Sequence, residues 1–164
     1  MYKKQLTFQK IVCFAMLAAA ALVFIYSLGI MTDLYDSLYS TMRNPDDYTE
    51  STVAGSSIYY EMQPFNSAFT KISIGLILVT LVLFLTNTHS RRKYYIGNYI
   101  AVALSSVCNI GVSIWSLSEI SAYKAQYLQI DFEALKAHSE LWKTYYTDST
   151  FWFDASYFVF GLLM

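Results

Sequence analysis

The chain has 164 residues, 55% hydrophobic and only 14% charged, with a formal net charge of −1 and a mean hydropathy of +0.36. A soluble domain of this length needs far more charge to cover its surface. A nucleic-acid partner would call for a basic excess, whereas 11 Lys and Arg here face 12 Asp and Glu.

The charges are also clustered. Residues 11–32, 72–88 and 94–118 contain no Asp, Glu, Lys or Arg, and each run approaches or exceeds the roughly 17–25 residues that cross about 30 Å of hydrocarbon. A fourth apolar run occupies 151–164. The sequence therefore predicts an all-α integral membrane protein: one membrane domain, 1–164, folded as a four-span helical bundle with spans at about 11–32, 72–88, 94–118 and 151–164, the last incomplete.

The first span follows Lys3, Lys4 and Lys10, and Ala18–Ala21 offer small residues for signal cleavage. Its apolar run continues through Val23, Phe24, Ile25 and Leu28 to Met31, longer than the 7–15 residues of a signal core, so an uncleaved anchor is expected. Ala15 and Ala19 form a small-xxx-small pair on it. Beyond it, Leu34, Leu38 and Met42 recur at helical spacing, as do Tyr35 and Tyr39. Asn44-Pro45-Asp46-Asp47 reads as a break and Tyr48–Ser57 as loop, and Pro64 and Asn66 interrupt the chain again before the second span. That span, ISIGLILVTLVLFLT, is almost wholly aliphatic and should expose the most surface to lipid.

Arg91, Arg92 and Lys93 fill the short connection to the third span. Short basic loops stay in the cytoplasm, which places the N-terminus there and the loops 33–71 and 119–150 outside, in the cell membrane of a multi-pass protein. Helical spacing continues past the third span through Ile120, Tyr123 and Tyr127, with a bend or break expected near Gln129–Asp131, so the outer cap is partly helical. Asp148-Ser149-Thr150 would cap the fourth helix. Phe151–Met164 spans only about 21 Å as helix, and no basic cluster follows it, so further apolar residues are expected beyond Met164.

Within the third span, Gly97, Ala101, Ser105, Asn109 and Ser113 recur every fourth residue and form one slightly slanted stripe. An asparagine facing lipid would leave its hydrogen-bonding groups unmet. Small residues allow close backbone approach, and Ser or Asn can hydrogen-bond across an interface. The stripe is read as a helix-packing face, most simply against Ala15, Ala18 and Ala19 or the fourth span.

Chemistry is scarce. Lys71, Glu119 and Asp154 are read as interfacial charges at similar depth, Asp154 favoured by a helix N-terminus and pairing with Lys71. His89 and His138 fall in different loops, and no HExxH, CxxC, GxSxG or Gly-rich phosphate loop occurs, so no catalytic residue, metal site or cofactor is expected. Cys13 and Cys108 lie too far apart in depth for a disulfide. Nine of the 15 tyrosines fall in the outer regions. Tyr35, Tyr39, Tyr59, Tyr60 and Phe65 are the candidate outer contacts, since flat amphipathic rings bury much area at little entropic cost.

The layout, with a tiny inner turn and two outer loops, resembles tetraspanin-like and claudin-like proteins. The CCG and W-GLW-C-C motifs of those families are absent, and nothing is carried over from them. The expectation is a non-enzymatic membrane protein, an accessory or assembly subunit. Its partners would be the lipid bilayer and another membrane protein or a second copy, and no nucleic acid. The alternative is the N-terminal part of a polytopic transporter or channel, with the third span lining the path.

Overall fold

The computed structural model describes residues 2–38, 55, 57–89, 94–137 and 148–164. Among them the only regular structure is helical: α1 Tyr2–Gly29, α2 Thr32–Leu38, α3 Ile58–Glu61, α4 Gln63–Thr88, α5 Tyr95–Tyr127, α6 Phe132–Ala137 and α7 Phe151–Leu163. Three stretches are long and apolar enough to cross a membrane, Lys3–Gly29, Ile58–Thr88 and Tyr95–Tyr127, whereas α7 is shorter. The basic connection Arg91–Lys93, the expected break at Asn44–Asp47, Tyr39, Met42 and His138 lie outside the described residues.

Each long helix runs further than its charge-free window. α1 begins at Tyr2 rather than near residue 11, because lysine is a good helix former and a basic first turn does not prevent helix growth. Pro64 does not interrupt the chain before the second span, as its position suggested. It sits in the first turn of α4, where a missing N–H costs no intrahelical bond. α5 continues to Tyr127, and a turn through Leu128–Ile130 separates it from α6, close to the expected break. Asp131 Oδ1 accepts the Ala134 N–H at 3.0 Å at the start of α6.

α1 packs most extensively against α4, while α7 lies against both α1 and α5. The buried face of α1 is Gln9, Cys13, Met16, Ala19, Ala20, Val23, Tyr26 and Ile30, in the steps of three and four that put side chains on one helical stripe. Phe8, Ile11, Phe14, Ile25 and Leu28 stand exposed on the other side, as suits lipid rather than water. α4 is the least buried of the three long helices, at 17% of its most apolar window, with Ile74, Leu78, Val79, Val82 and Leu85 facing outward.

The main core gathers where α1, α4, α5 and α7 meet. Tyr26 sets its ring edge-on to Phe69 and to Phe160, with centroids 6.1 and 5.8 Å apart, the favoured arrangement of aromatic quadrupoles. The Tyr26 hydroxyl donates to the Trp152 carbonyl at 2.8 Å, and the indole lies over Gly29, where a Cβ would overlap the ring. Leu34, Leu38, Ile58, Met62, Tyr127 and Ile130 extend this core through the short helices. A smaller cluster, Cys13, Met16 and Val102, closes the other end between α1 and α5.

Candidate functional site

The polar face of α5 is the first candidate. Ser105, Asn109, Ser113 and Ser116 are all buried, Asn109 to 1% exposure and both Ser113 and Ser116 to 0%. The buried face follows Val102, Ser105, Asn109, Ser113, Ser116, Ile120 and Tyr127, in a mixture of steps of three and four with one step of seven at the end. A strict four-residue stripe therefore leaves it at one end: Ala101 is half-buried, and Gly97 is exposed with nothing within 4 Å of a Cβ placed there. The drift of about 40° per four residues accumulates until the stripe rotates off the contact. Ser116 belongs to the face and was missed, because only a mixed three-and-four spacing reaches it.

The hydrogen bonding departs from expectation. Asn109 was expected to bond across to a neighbouring helix. Instead both its amide atoms, and the hydroxyls of Ser113 and Ser116, find no hydrogen-bond partner among the described residues. Buried hydroxyls on α1, α4 and α7 behave differently. Ser27 donates to the Phe24 carbonyl at 2.7 Å, Ser73 to Thr70 at 2.7 Å, Thr80 to Leu76 at 2.7 Å and Ser156 to Phe153 at 2.6 Å. Folding back onto one's own helix is the ordinary resolution for a hydroxyl in an apolar setting.

The expected partners on α1 also differ. Of Ala15, Ala18 and Ala19 only Ala19 is buried, and Ala20 is buried beside it. α1 meets α5 through Gln9, whose amide donates to the Tyr95 carbonyl at 3.2 Å, and through Met16, whose sulfur accepts from Ser106 at 3.8 Å.

The interfacial charges are rearranged as well. Asp154 pairs with Lys124, not with Lys71. The Nζ–Oδ1 distance is 2.5 Å, and Thr150 donates to the other carboxylate oxygen at 2.7 Å. The reason is depth. α4 and α5 run antiparallel, with Thr86 beside Asn98 and Glu61 beside Tyr123, a register that sets Lys71 level with Ser113. Eleven residues of α5 then separate that level from Lys124, about 16 Å. Lys71 is exposed on α4, and Glu119 is half-buried between the two levels. Ser149 and Thr150 do flank the start of α7, but the bond there runs from the Phe151 N–H to the Ser149 hydroxyl at 3.1 Å.

The aromatic contacts split into two groups. Phe65 is buried, stacked on Phe69 at 5.7 Å and packed against Trp115 and Tyr123. Its ring serves the chain's own core. Tyr35 is half exposed, and its ring lies 6.0 Å from Tyr59, which in turn sits edge-on to Tyr60 at 5.0 Å. A cleft of about 420 Å³ lined by Tyr60, Glu61, Gln63 and Pro64 opens beside this ridge. Tyr39 lies outside the described residues.

Cys13 is buried, Cys108 is exposed, and both are free thiols. Among the described residues, no three His, Cys, Asp or Glu side chains come together as a metal would require. No family model, curated protein or solved structure matches this chain.

Proposed function

We propose that the protein is a non-enzymatic multi-pass membrane subunit that recognises another membrane protein through its outer surface. In this reading α1, α4 and α5 cross the bilayer, α7 enters it from the outer side as a fourth, shorter segment, and the N-terminus is cytoplasmic. The short helices α2, α3 and α6 then form an extracytoplasmic cap. The observation that carries the reading is the ridge Tyr35–Tyr59–Tyr60 beside the cleft at Tyr60 and Pro64. Rigid aromatic rings next to a concave surface are the usual anchors of a protein interface.

A photoreactive amino acid at Tyr35 or Tyr59, compared with one at lipid-facing Val107, tests it in native membranes. A discrete cross-linked species from the two tyrosine positions, absent at Val107, is expected. Equal or absent cross-linking at all three positions would remove the ridge as a partner site.

The polar face of α5 favours a second reading, in which this helix lines a path in a transporter or channel. Solute flux in proteoliposomes that Asn109→Leu abolishes would select it over the first.

A further inference from the structure

Asn109, Ser113 and Ser116 place four unpartnered polar atoms on one buried face of α5, over about 10 Å of helix. Each such atom costs free energy comparable to a lost hydrogen bond, and at this depth no surrounding water is at hand to offset it. Ser27, Ser73, Thr80 and Ser156 show that a hydroxyl in these helices can return to its own backbone. Ser113 and Ser116 have the same option and point elsewhere. We propose that Asn109, Ser113 and Ser116 form an occluded binding site for water inside the helical bundle, one or more water molecules bridging the Asn109 amide to the two hydroxyls.

The chemistry selects water over an ion. The amide supplies both donors and an acceptor, and each hydroxyl can serve either way, the balanced pattern that a molecule making about three hydrogen bonds requires. Residues 94–118 hold no charged side chain, and Lys71, level with Ser113 on α4, is exposed rather than buried at the site, so a bare cation or anion would lose its hydration without compensation. The site is closed at both ends. Ile120, 1% exposed, lies on the outer side, and Val102 packs with Met16 and Cys13 on the inner side. Water held there is trapped rather than conducted, so the inference is independent of the first functional reading above and stands against an open path along α5.

Water-edited solid-state NMR on the isotope-labelled full chain in lipid bilayers tests it. The Asn109 side-chain amide, assigned by its loss in Asn109→Leu, should receive water magnetisation at a rate within about threefold of the Asn98 amide near the helix end. The Ile120 and Val102 methyl groups should stay dry. Ser113→Ala should cut the Asn109 transfer severalfold and lower the thermal midpoint. Transfer to Asn109 from lipid methylenes alone, or no faster than to Ile120, would overturn the site. So would a Ser113→Ala variant that is more stable and leaves the Asn109 signal unchanged, since that is the behaviour of a dry, unpaired hydroxyl.

Discussion

At the scale of single residues, the C-terminal end of α1 depends on an absence. Gly29 leaves room for the Trp152 indole, and any Cβ there would overlap the ring. The neighbouring Tyr26 hydroxyl holds the Trp152 carbonyl at 2.8 Å, so ring and backbone are pinned together and cannot yield independently. Gly29→Ala is therefore expected to destabilise the fold by about 1–3 kcal/mol, the usual cost of overpacking. Gly111, with nothing within 4 Å of a Cβ, provides the comparison. There alanine should be neutral or gain up to about 1 kcal/mol from helix propensity. Thermal unfolding of the two variants in detergent or bilayers measures the contrast, and a Gly29→Ala protein as stable as Gly111→Ala would show that Trp152 does not pack against α1.

At the scale of elements, the question is what holds α7 in place. Among the described residues its one ion pair, Lys124–Asp154, joins side chains 24% and 53% exposed, and such exposed pairs contribute little because solvent screens them. Its apolar face, Phe153, Val159, Phe160 and Leu163, is buried in the main core. Phe160→Ala should accordingly cost about 3–5 kcal/mol, as large-to-small core changes do, whereas Asp154→Asn should shift the melting temperature only slightly, and less at high salt. A reversal of that order would mean that α7 is anchored by charge. The pairing itself was not legible from the positions of Lys71, Glu119 and Asp154 along the chain. Depth in a bundle is set by helix register, and register follows from side-chain packing between helices rather than from distance to the nearest apolar run.

At the scale of the whole molecule, three helices long and apolar enough to span a membrane carry exposed surfaces of Phe, Ile, Leu and Val that water would not tolerate in so large a contiguous area. Lys3, Lys4 and Lys10 at one end of α1, with Arg91, Arg92 and Lys93 between α4 and α5, predict that both basic stretches are cytoplasmic. Cysteine introduced at Ser57 should react with a membrane-impermeant thiol reagent added outside intact cells, whereas cysteine at Ser90 should react only after permeabilisation. Labelling at Ser90 but not at Ser57 would invert the topology.

The sequence by itself determined the class of protein. Charge-free windows, helical periodicity and the absence of breakers are local properties, and they report helix and hydrocarbon compatibility directly. They also marked Ser105, Asn109 and Ser113 as a face turned away from lipid, because an amide in hydrocarbon has so few alternatives. Only the tertiary structure decided which residues meet: that Ala20 rather than Ala15 is buried, that Phe65 is spent on the core, that Asp154 finds Lys124, and that the buried Asn109 amide finds no hydrogen-bond partner among the described residues. Each of these depends on the rotation and axial offset of one helix against another. Those two quantities come from the interlocking of side chains distant in sequence, and no window along a single helix contains them.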